Sequence, residues 1–237
     1  MKIALAQTQP IKGDVLKNIK SHKVLIKKAI YNNVNLIIFP ELSITGYEPE
    51  LAKILAVKFN DSLLNDFQKI SDENNISIII GMPTKKNDTI QISSIIFQPN
   101  TPRSVYSKQN LFPTEIDVFN KGSENISLNF EEYKIALVIC YDLSDSEHSL
   151  NAYNAGNNIY LASVLNSFSG IEDDISKLSA IAKKYNMIVG MSNFVGESGG
   201  YNCAGRSSFW DTNGELINQL NNYDEEILIY DCNSKLV

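Results

Sequence analysis

Ile135-Ala136-Leu137-Val138-Ile139-Cys140-Tyr141-Asp142 is the stretch that decides the fold of this chain. An unbroken apolar run closes at Cys140, and the polar segment Tyr141-Asp142-Leu143-Ser144-Asp145 follows at once. A run of that length with so abrupt a stop reads as a buried strand emerging into a loop. In α/β proteins chemistry collects at the carboxyl edge of the sheet, which is where such a thiol would sit. Two charged residues arrive in similar settings. Glu41 follows Asn35-Leu36-Ile37-Ile38-Phe39-Pro40, and Lys108 follows Arg103-Ser104-Val105-Tyr106-Ser107. A nucleophile, a base and a cation, each just past a strand, can meet in one site.

Outward from this strand, strands and helices alternate. Lys2 to Gln9 reads as a strand, and Asp14 can cap the helix that follows. Val15, Ile19, His22, Ile26, Ala29 and Ile30 recur at three- and four-residue steps and give that helix an apolar stripe. Leu36 to Phe39 is the next strand, and Leu63, Leu64, Phe67 and Ile70 mark a second helix. Strands are expected at Ile76 to Gly81, Ile90 to Phe97, Ile159 to Ala162 and Met187 to Met191, with helices near Glu147 to Ala155 and Asp173 to Tyr185. The tail from Ser207 to Asp231 holds two or three strands separated by Asn213-Gly214 and Asn221-Asn222. This order gives an α/β protein. Lys2-Ile3-Ala4-Leu5 echoes in Lys134-Ile135-Ala136-Leu137, each followed by a helix and a strand, which suits two similar halves with sheets packed together and helices outside.

Composition narrows the functional classes. The 237 residues are 43% hydrophobic and 20% charged, ordinary globular usage, and no Gly/Ser/Pro-rich tract divides them, so one domain over 1–237 is expected. A net charge of −6, with lysines only in isolated pairs such as Lys27-Lys28 and Lys183-Lys184, argues against a nucleic-acid partner. The N-terminal apolar stretch is too short for a signal peptide, and no run approaches the roughly 18 apolar residues of a membrane span. The expectation is a soluble, cytoplasmic protein with no membrane partner. Cys140, Cys203 and Cys232 are an odd number without a C-x-x-C spacing, which speaks against a disulfide framework or a zinc site.

Three segments carry a family resemblance. Phe39-Pro40-Glu41-Leu42-Ser43-Ile44-Thr45-Gly46-Tyr47, Tyr106-Ser107-Lys108-Gln109-Asn110-Leu111-Phe112 and Val138-Ile139-Cys140-Tyr141-Asp142-Leu143 resemble the glutamate, lysine and cysteine motifs of the nitrilase, or carbon–nitrogen hydrolase, superfamily. Glu115, Phe119 and Gly122 fit the segment after the lysine. Glu147 fits a recurrent acidic position after the cysteine, and Gly205-Arg206-Ser207-Ser208 with Asp211 and Gly214 resembles a late motif. The resemblance spans nearly the whole chain.

The resemblance implies a four-layer αββα sandwich and a hydrolase of non-peptide carbon–nitrogen bonds working through a thioester. Cys140 would be the nucleophile and Glu41 the base. Lys108 and the backbone N–H of Tyr141 would stabilise the oxyanion, and Glu115 would hold the lysine or the substrate amide. The chemistry needs these types. A free thiol, with pKa of about 8.5, is only a few per cent thiolate near neutrality, so a base must take its proton. No metal or organic cofactor is required. A small amide-type substrate is expected, and by resemblance a homodimer or larger assembly. Amidase and N-carbamoyl amine hydrolase activities rank above nitrilase activity. Glu147 and the pocket residues Asn166, Ser167 and Asn193 are expected to choose among substrates.

The chain also departs from the family pattern. Many relatives carry an arginine and Phe-Pro after the cysteine, where this chain has Leu143-Ser144-Asp145-Ser146-Glu147-His148. No long C-terminal extension is expected past Cys232. His22 lies on an apolar stripe and is expected in the core, whereas His148 is expected at the surface or in the substrate pocket. Cys203 and Cys232 read as small inert residues, and Gly196 with Gly199-Gly200 as a flexible loop. Two rival readings remain: a metal-dependent phosphoesterase with a similar sandwich, which would need acids and histidines at strand ends, and a catalytically inactive binding member of the same fold.

Overall fold

The structure, a computed structural model, describes residues 1–233. In chain order its elements are β1 (Lys2–Gln7), α1 (Val15–Tyr31), β2 (Leu36–Ile38), α2 (Ala52–Leu55), α3 (Asn65–Asn74), β3 (Ser77–Lys86), β4 (Thr89–Phe97), β5 (Ser104–Ser107), β6 (Ser127–Phe130), β7 (Tyr133–Ile139), α4 (Ser146–Asn154), β8 (Ile159–Ser163), α5 (Ile171–Tyr185), β9 (Ile188–Ser192), β10 (Val195–Ser198), β11 (Tyr201–Ala204), β12 (Ser208–Trp210), β13 (Leu216–Gln219) and β14 (Glu226–Asp231). One six-stranded sheet runs β14-β1-β2-β3-β4-β5, and a second runs β13-β12-β9-β8-β7-β6.

The two sheets are built alike. Each has three parallel strands at its centre, β1-β2-β3 and β7-β8-β9, with one antiparallel strand on one side and two on the other. The short repeat of Lys-Ile-Ala-Leu falls on equivalent strands, β1 and β7. The correspondence reaches single hydrogen bonds. Asn35 Oδ1 accepts the N–H of Lys2, and Asn158 Oδ1 accepts the N–H of Lys134, both at 2.8 Å. Asn75 and Asn186, each in the left-handed conformation, end α3 and α5 (φ 51° and 53°). Asparagine tolerates that conformation better than most residues, so it stops both helices just before the next strand.

Alternation along the central strands explains the layers. Ile3, Leu5, Leu36, Ile38, Ile135, Leu137, Ile159 and Leu161 point between the sheets and form one core. Ala4, Ala6, Ile37, Ile78 and Ile80 point outward onto Ile19, Ile26 and Phe67 of α1 and α3. Ala136, Val138, Tyr160 and Ala162 point the opposite way onto Leu178 and Ala182 of α5. Strands covered on both faces must be apolar at every position, which is why they read as runs rather than as alternation. The result is an αββα sandwich, as the resemblance implied. Gly190 leaves room for its neighbours within the sheet and across the core, because a Cβ there would lie 2.8 Å from the Phe209 ring, 2.9 Å from Leu161 and 3.1 Å from Leu5 of the opposing sheet.

Asp14 caps α1 by accepting the N–H of Lys17, as its position suggested. The tail forms three strands, β12 to β14, and β14 returns to pair with β1. Some elements differ from expectation, the one-turn helix α2 among them. The glycine-rich stretch around Gly196 and Gly199-Gly200 is a hairpin, β10 paired with β11, rather than a flexible loop. Gly199 and Gly200 take positive φ at its tight turn, so these glycines close a strand pair. Strand β6 was also unforeseen, since Ser127-Leu128-Asn129-Phe130 is an edge strand with little apolar content.

Candidate active site

The carboxyl ends of the parallel strands of both sheets face one another, and two serines pin them there. Ser163 Oγ at the end of β8 donates to Phe39 O beyond β2, at 2.8 Å, and Ser192 Oγ at the end of β9 donates to Ala6 O of β1. The loops carrying Glu41, Lys108 and Cys140 leave the sheets at this seam.

Lys108 and Glu41 are wholly buried, and so is Glu115. The Lys108 ammonium donates to Glu41 Oε1 and to Glu115 Oε1, each at 2.7 Å. Glu115 also accepts the hydroxyl of Tyr47 at 2.6 Å, and its other oxygen accepts the N–H of Phe112 at 2.8 Å. Glu41 Oε2 has no hydrogen-bond partner among the described residues. Glu41, Glu115 and Cys140 line a cavity of about 330 Å³, together with Tyr47, Asn166 and Tyr201.

Cys140 opens a 3-10 turn, Cys140–Ser144, directly after β7, and its φ is +42°. A residue with a Cβ is strained in that region. The strain turns the thiol sharply out of the strand. Its sulfur lies 3.7 Å from Leu165 O. Tyr141, second in the turn, presents a backbone N–H that the turn itself cannot satisfy.

Electrostatics follow from burial. Burial raises the Glu41 carboxyl to about 7, and the charge of Glu115 adds to this, against the opposing pull of Lys108. Burial would lower Lys108, but the charges of Glu41, Cys140 and Glu115 outweigh it and hold the ammonium above its ordinary range. Burial, then the charge of Glu41, pushes the Cys140 thiol well above its usual value, with Lys108 opposing. The resting site therefore holds a neutral thiol, a fixed cation and a carboxyl poised near neutrality. Such a carboxyl is suited to moving protons in both directions.

Both histidines brace these loops from the core. His22 is buried as expected, stacked 4.0 Å from the Phe39 ring. Its Nδ1 donates to Asn18 O at 2.7 Å, so Nε2 accepts the Ser43 hydroxyl at 2.9 Å; Ser43 in turn accepts the N–H of Gly81. Ser43 stands two places beyond Glu41. Gly81 is required beneath that loop, because a Cβ there would fall 2.3 Å from the Leu42 nitrogen. His148 corrects the expectation of a surface or pocket role. It is buried, and burial lowers its basicity.

The bonds around His148 assign its tautomer. Tyr106 donates its hydroxyl to Asp142 Oδ2 at 2.7 Å, so His148 Nε2 donates to the Tyr106 oxygen, and Nδ1 accepts the Tyr160 hydroxyl. Asp142 also accepts the N–H groups of Gln109 at 2.9 Å, Asn110 at 2.7 Å and Ile139 at 3.1 Å. One carboxyl thus ties the loop after Lys108 to the turn that carries Cys140.

The remaining sequence candidates fall in different places. Asn166 is buried at the cavity wall and donates to Asp174 Oδ2 at 2.7 Å. Ser167 lines the same cavity. Asn193 lies outside that lining, fully buried, where its side chain accepts the Asn166 N–H and donates to Asn166 O and Gly205 O. Its hydrogen bonds hold the wall rather than facing the cavity. Glu147 is exposed in the first turn of α4, also outside the lining. Tyr47 and Asp142 were missed as site residues although both stand inside the quoted motifs. An acid standing two places past the apolar run that ends at Cys140 was the available signal for Asp142.

The metal-phosphoesterase reading gains nothing from this geometry. A metal phosphoesterase needs histidines at strand ends, and here both stand on helices with both ring nitrogens engaged. Among the described residues no group of His, Cys, Asp or Glu is arranged to hold a metal ion, and no helix is long and apolar enough to cross a membrane.

Residues 2–237 match the family model described as carbon-nitrogen hydrolase. A probable nitrilase of Schizosaccharomyces pombe is 26% identical over 96% of this chain and 87% of its own length. A glutamine-dependent NAD(+) synthetase of Thermotoga maritima is 24% identical over 98% of this chain but 42% of its own length, so the chain spans under half of that relative. Among solved structures, a variant of the amidase from Nesterenkonia sp. AN1, bearing acrylamide added at its active-site cysteine, superposes with a TM-score of 0.89 at 20% identity. It covers 98% of this chain and 92% of its own.

Proposed function

The chain belongs to the carbon–nitrogen hydrolase family, and from that premise we propose that it hydrolyses a small-molecule amide or N-carbamoyl amine through a Cys140 thioester. The observation that carries the reading is the shared cavity. The thiol of Cys140 and the unpartnered oxygen of Glu41 border one space, with the Lys108 ammonium 2.7 Å from Glu41 behind them. A space of about 330 Å³ suits a small molecule.

The steps then balance as follows. Glu41 takes the Cys140 proton as sulfur attacks the carbonyl carbon. The carbonyl oxygen becomes an oxyanion, held by the Lys108 ammonium and the Tyr141 N–H; one such donor is typically worth about 3 kcal/mol. The intermediate collapses, the carbon–nitrogen bond breaks, and Glu41 returns the proton to the leaving amine. Water next attacks the thioester while Glu41 accepts its proton. Collapse of the second intermediate releases the acid, and the sulfur recovers the proton from Glu41. Glu115, which accepts a second hydrogen bond from the same ammonium, holds Lys108 in place.

Amides and carbamoyl amines rank above nitriles as substrates. The glutamine dependence in the name of the Thermotoga relative makes glutamine one amide to include. The test is a panel of amides, carbamoyl amines and nitriles with mass spectrometry of the intact protein. Acylation of Cys140 with release of amine or ammonia is expected, and a panel that leaves Cys140 unmodified and yields no product would overturn the reading.

A further inference from the structure

The catalytic cavity is also bordered by the start of α5 and by aromatic rings. Asp173, Asp174, Phe112, Tyr141, Tyr201 and Tyr47 all border the space. The three acids in the first turn of α5 have different employment. Glu172 pairs with Arg206. Asp174 accepts from Asn166 and bridges to Lys177 at 3.1 Å. Asp173 has no hydrogen bond or ion pair among the described residues, and it is exposed to the cavity mouth.

Acids at a helix start favour the helix dipole, and that alone would account for them at a surface. Two further features make this wall different. Carboxyl groups also occupy the cavity floor, where Glu41 is buried with an unpartnered oxygen and shares the single Lys108 ammonium with Glu115. Aromatic rings flank the opening as well. Phe112 and Tyr141 meet edge to face at 5.2 Å, and Tyr47 and Tyr201 do so at 6.3 Å. An unpaired carboxylate and aromatic faces bordering one cavity are the chemistry that receives an organic ammonium. Of the four acids lining this cavity, Glu41 and Glu115 share the Lys108 ammonium and Asp174 is bridged to Lys177, which leaves Asp173 as the acid without a cation among the described residues.

Resting on the hydrolase reading above, we infer that the substrate is an amide or carbamoyl amine whose far end carries a positive charge, received by Asp173. Unpaired Asp173 repels an ω-amide acid, whose far end is a carboxylate.

The experiment compares kcat/KM for 5-aminopentanamide, its neutral isostere hexanamide and the anion glutaramate, in the wild type and in Asp173→Asn and Asp173→Glu. At least a tenfold preference for the aminoamide over hexanamide is expected, with glutaramate slowest. Asp173→Asn should bring the ratio close to one, and Asp173→Glu should restore part of it. Equal rates for the three compounds, a preference for glutaramate, or an unchanged ratio in Asp173→Asn would overturn the assignment while leaving the hydrolase reading intact. A second measurement separates binding from chemistry: alkylation of Cys140 by iodoacetamide, followed with each compound as protectant. If none of the amides is turned over, protection by 5-aminopentanamide at tenfold lower concentration than hexanamide would still support the cation site. Equal protection would sink it.

Discussion

The ammonium of Lys108 lies 2.7 Å from the Glu115 carboxyl, and neither side chain reaches solvent. Removing one partner of such a pair leaves a charge stranded in a poor dielectric, at a cost of about 3–5 kcal/mol. Glu115→Ala would also strip the acceptor from the Tyr47 hydroxyl and the Phe112 N–H. We expect it to lower Tm by several degrees and kcat by at least a hundredfold. Glu115→Gln keeps an acceptor and should lose less of both. Thermal unfolding and steady-state kinetics on the two variants check this; wild-type values for Glu115→Ala would show that Lys108 does not depend on Glu115.

Cys140 separates function from stability. Its φ of +42° strains any residue with a Cβ, at roughly 1 kcal/mol. Cys140→Ala and Cys140→Gly should both be inactive, because neither carries a nucleophile. Cys140→Gly should nevertheless unfold at a higher denaturant midpoint than Cys140→Ala, the reverse of the usual order for these two residues. Equal midpoints would mean that the turn is not strained at this position.

The pH dependence follows from Glu41, whose carboxyl is raised to about 7 by burial. The proposed role of general base requires it to begin deprotonated, so kcat/KM should rise with pH through about 7 and flatten above it. The stability consequence has the opposite sense. The folded protein holds this proton more tightly than the unfolded chain does, so the contribution is favourable below the ordinary carboxyl value of 4.5 and is lost as pH rises to about 7. Glu41→Gln removes that dependence. Its Tm relative to wild type should therefore climb between pH 4.5 and 7, while its activity is lost at every pH. A wild-type acid limb lying near 4.5 would mean that burial does not perturb this carboxyl.

Much of this was legible in the chain. Strands β2, β7 and β8 announce themselves as apolar runs because helices cover one face and the opposing sheet covers the other. Glu41, Lys108 and Cys140 stood out because each follows such a strand abruptly. What stayed hidden depends on partners distant in sequence. His148 carries no local sign that Tyr106 and Tyr160 will engage both its nitrogens. Asn193 looked like a pocket residue, yet its amide bonds to the backbone of Asn166 and Gly205. The β10–β11 hairpin was hidden by its glycines, which mark a tight turn as readily as a loop. The Asp173 wall needed the fold to bring the start of α5 to the mouth of a cavity floored by β2 and β7 loops.

Asp142 gives the last prediction, because its two oxygens satisfy four donors: the N–H groups of Gln109, Asn110 and Ile139 and the hydroxyl of Tyr106. An asparagine has the same shape but only one acceptor oxygen, and its NH2 would face donors. Asp142→Asn therefore orphans at least one buried donor, at a cost of about 1–3 kcal/mol. The backbone it releases carries Lys108 on one side and Cys140 on the other, so the proposed oxyanion cradle should loosen while the cavity wall at α5 stays in place. We expect kcat to fall by at least tenfold with KM changed by much less, together with a lowered Tm. His148→Gln, which disturbs the same chain one step further out, should show a smaller drop in kcat of the same kind. A loss confined to KM in Asp142→Asn would mean that Asp142 shapes the substrate wall and does not set the spacing between Lys108 and Cys140.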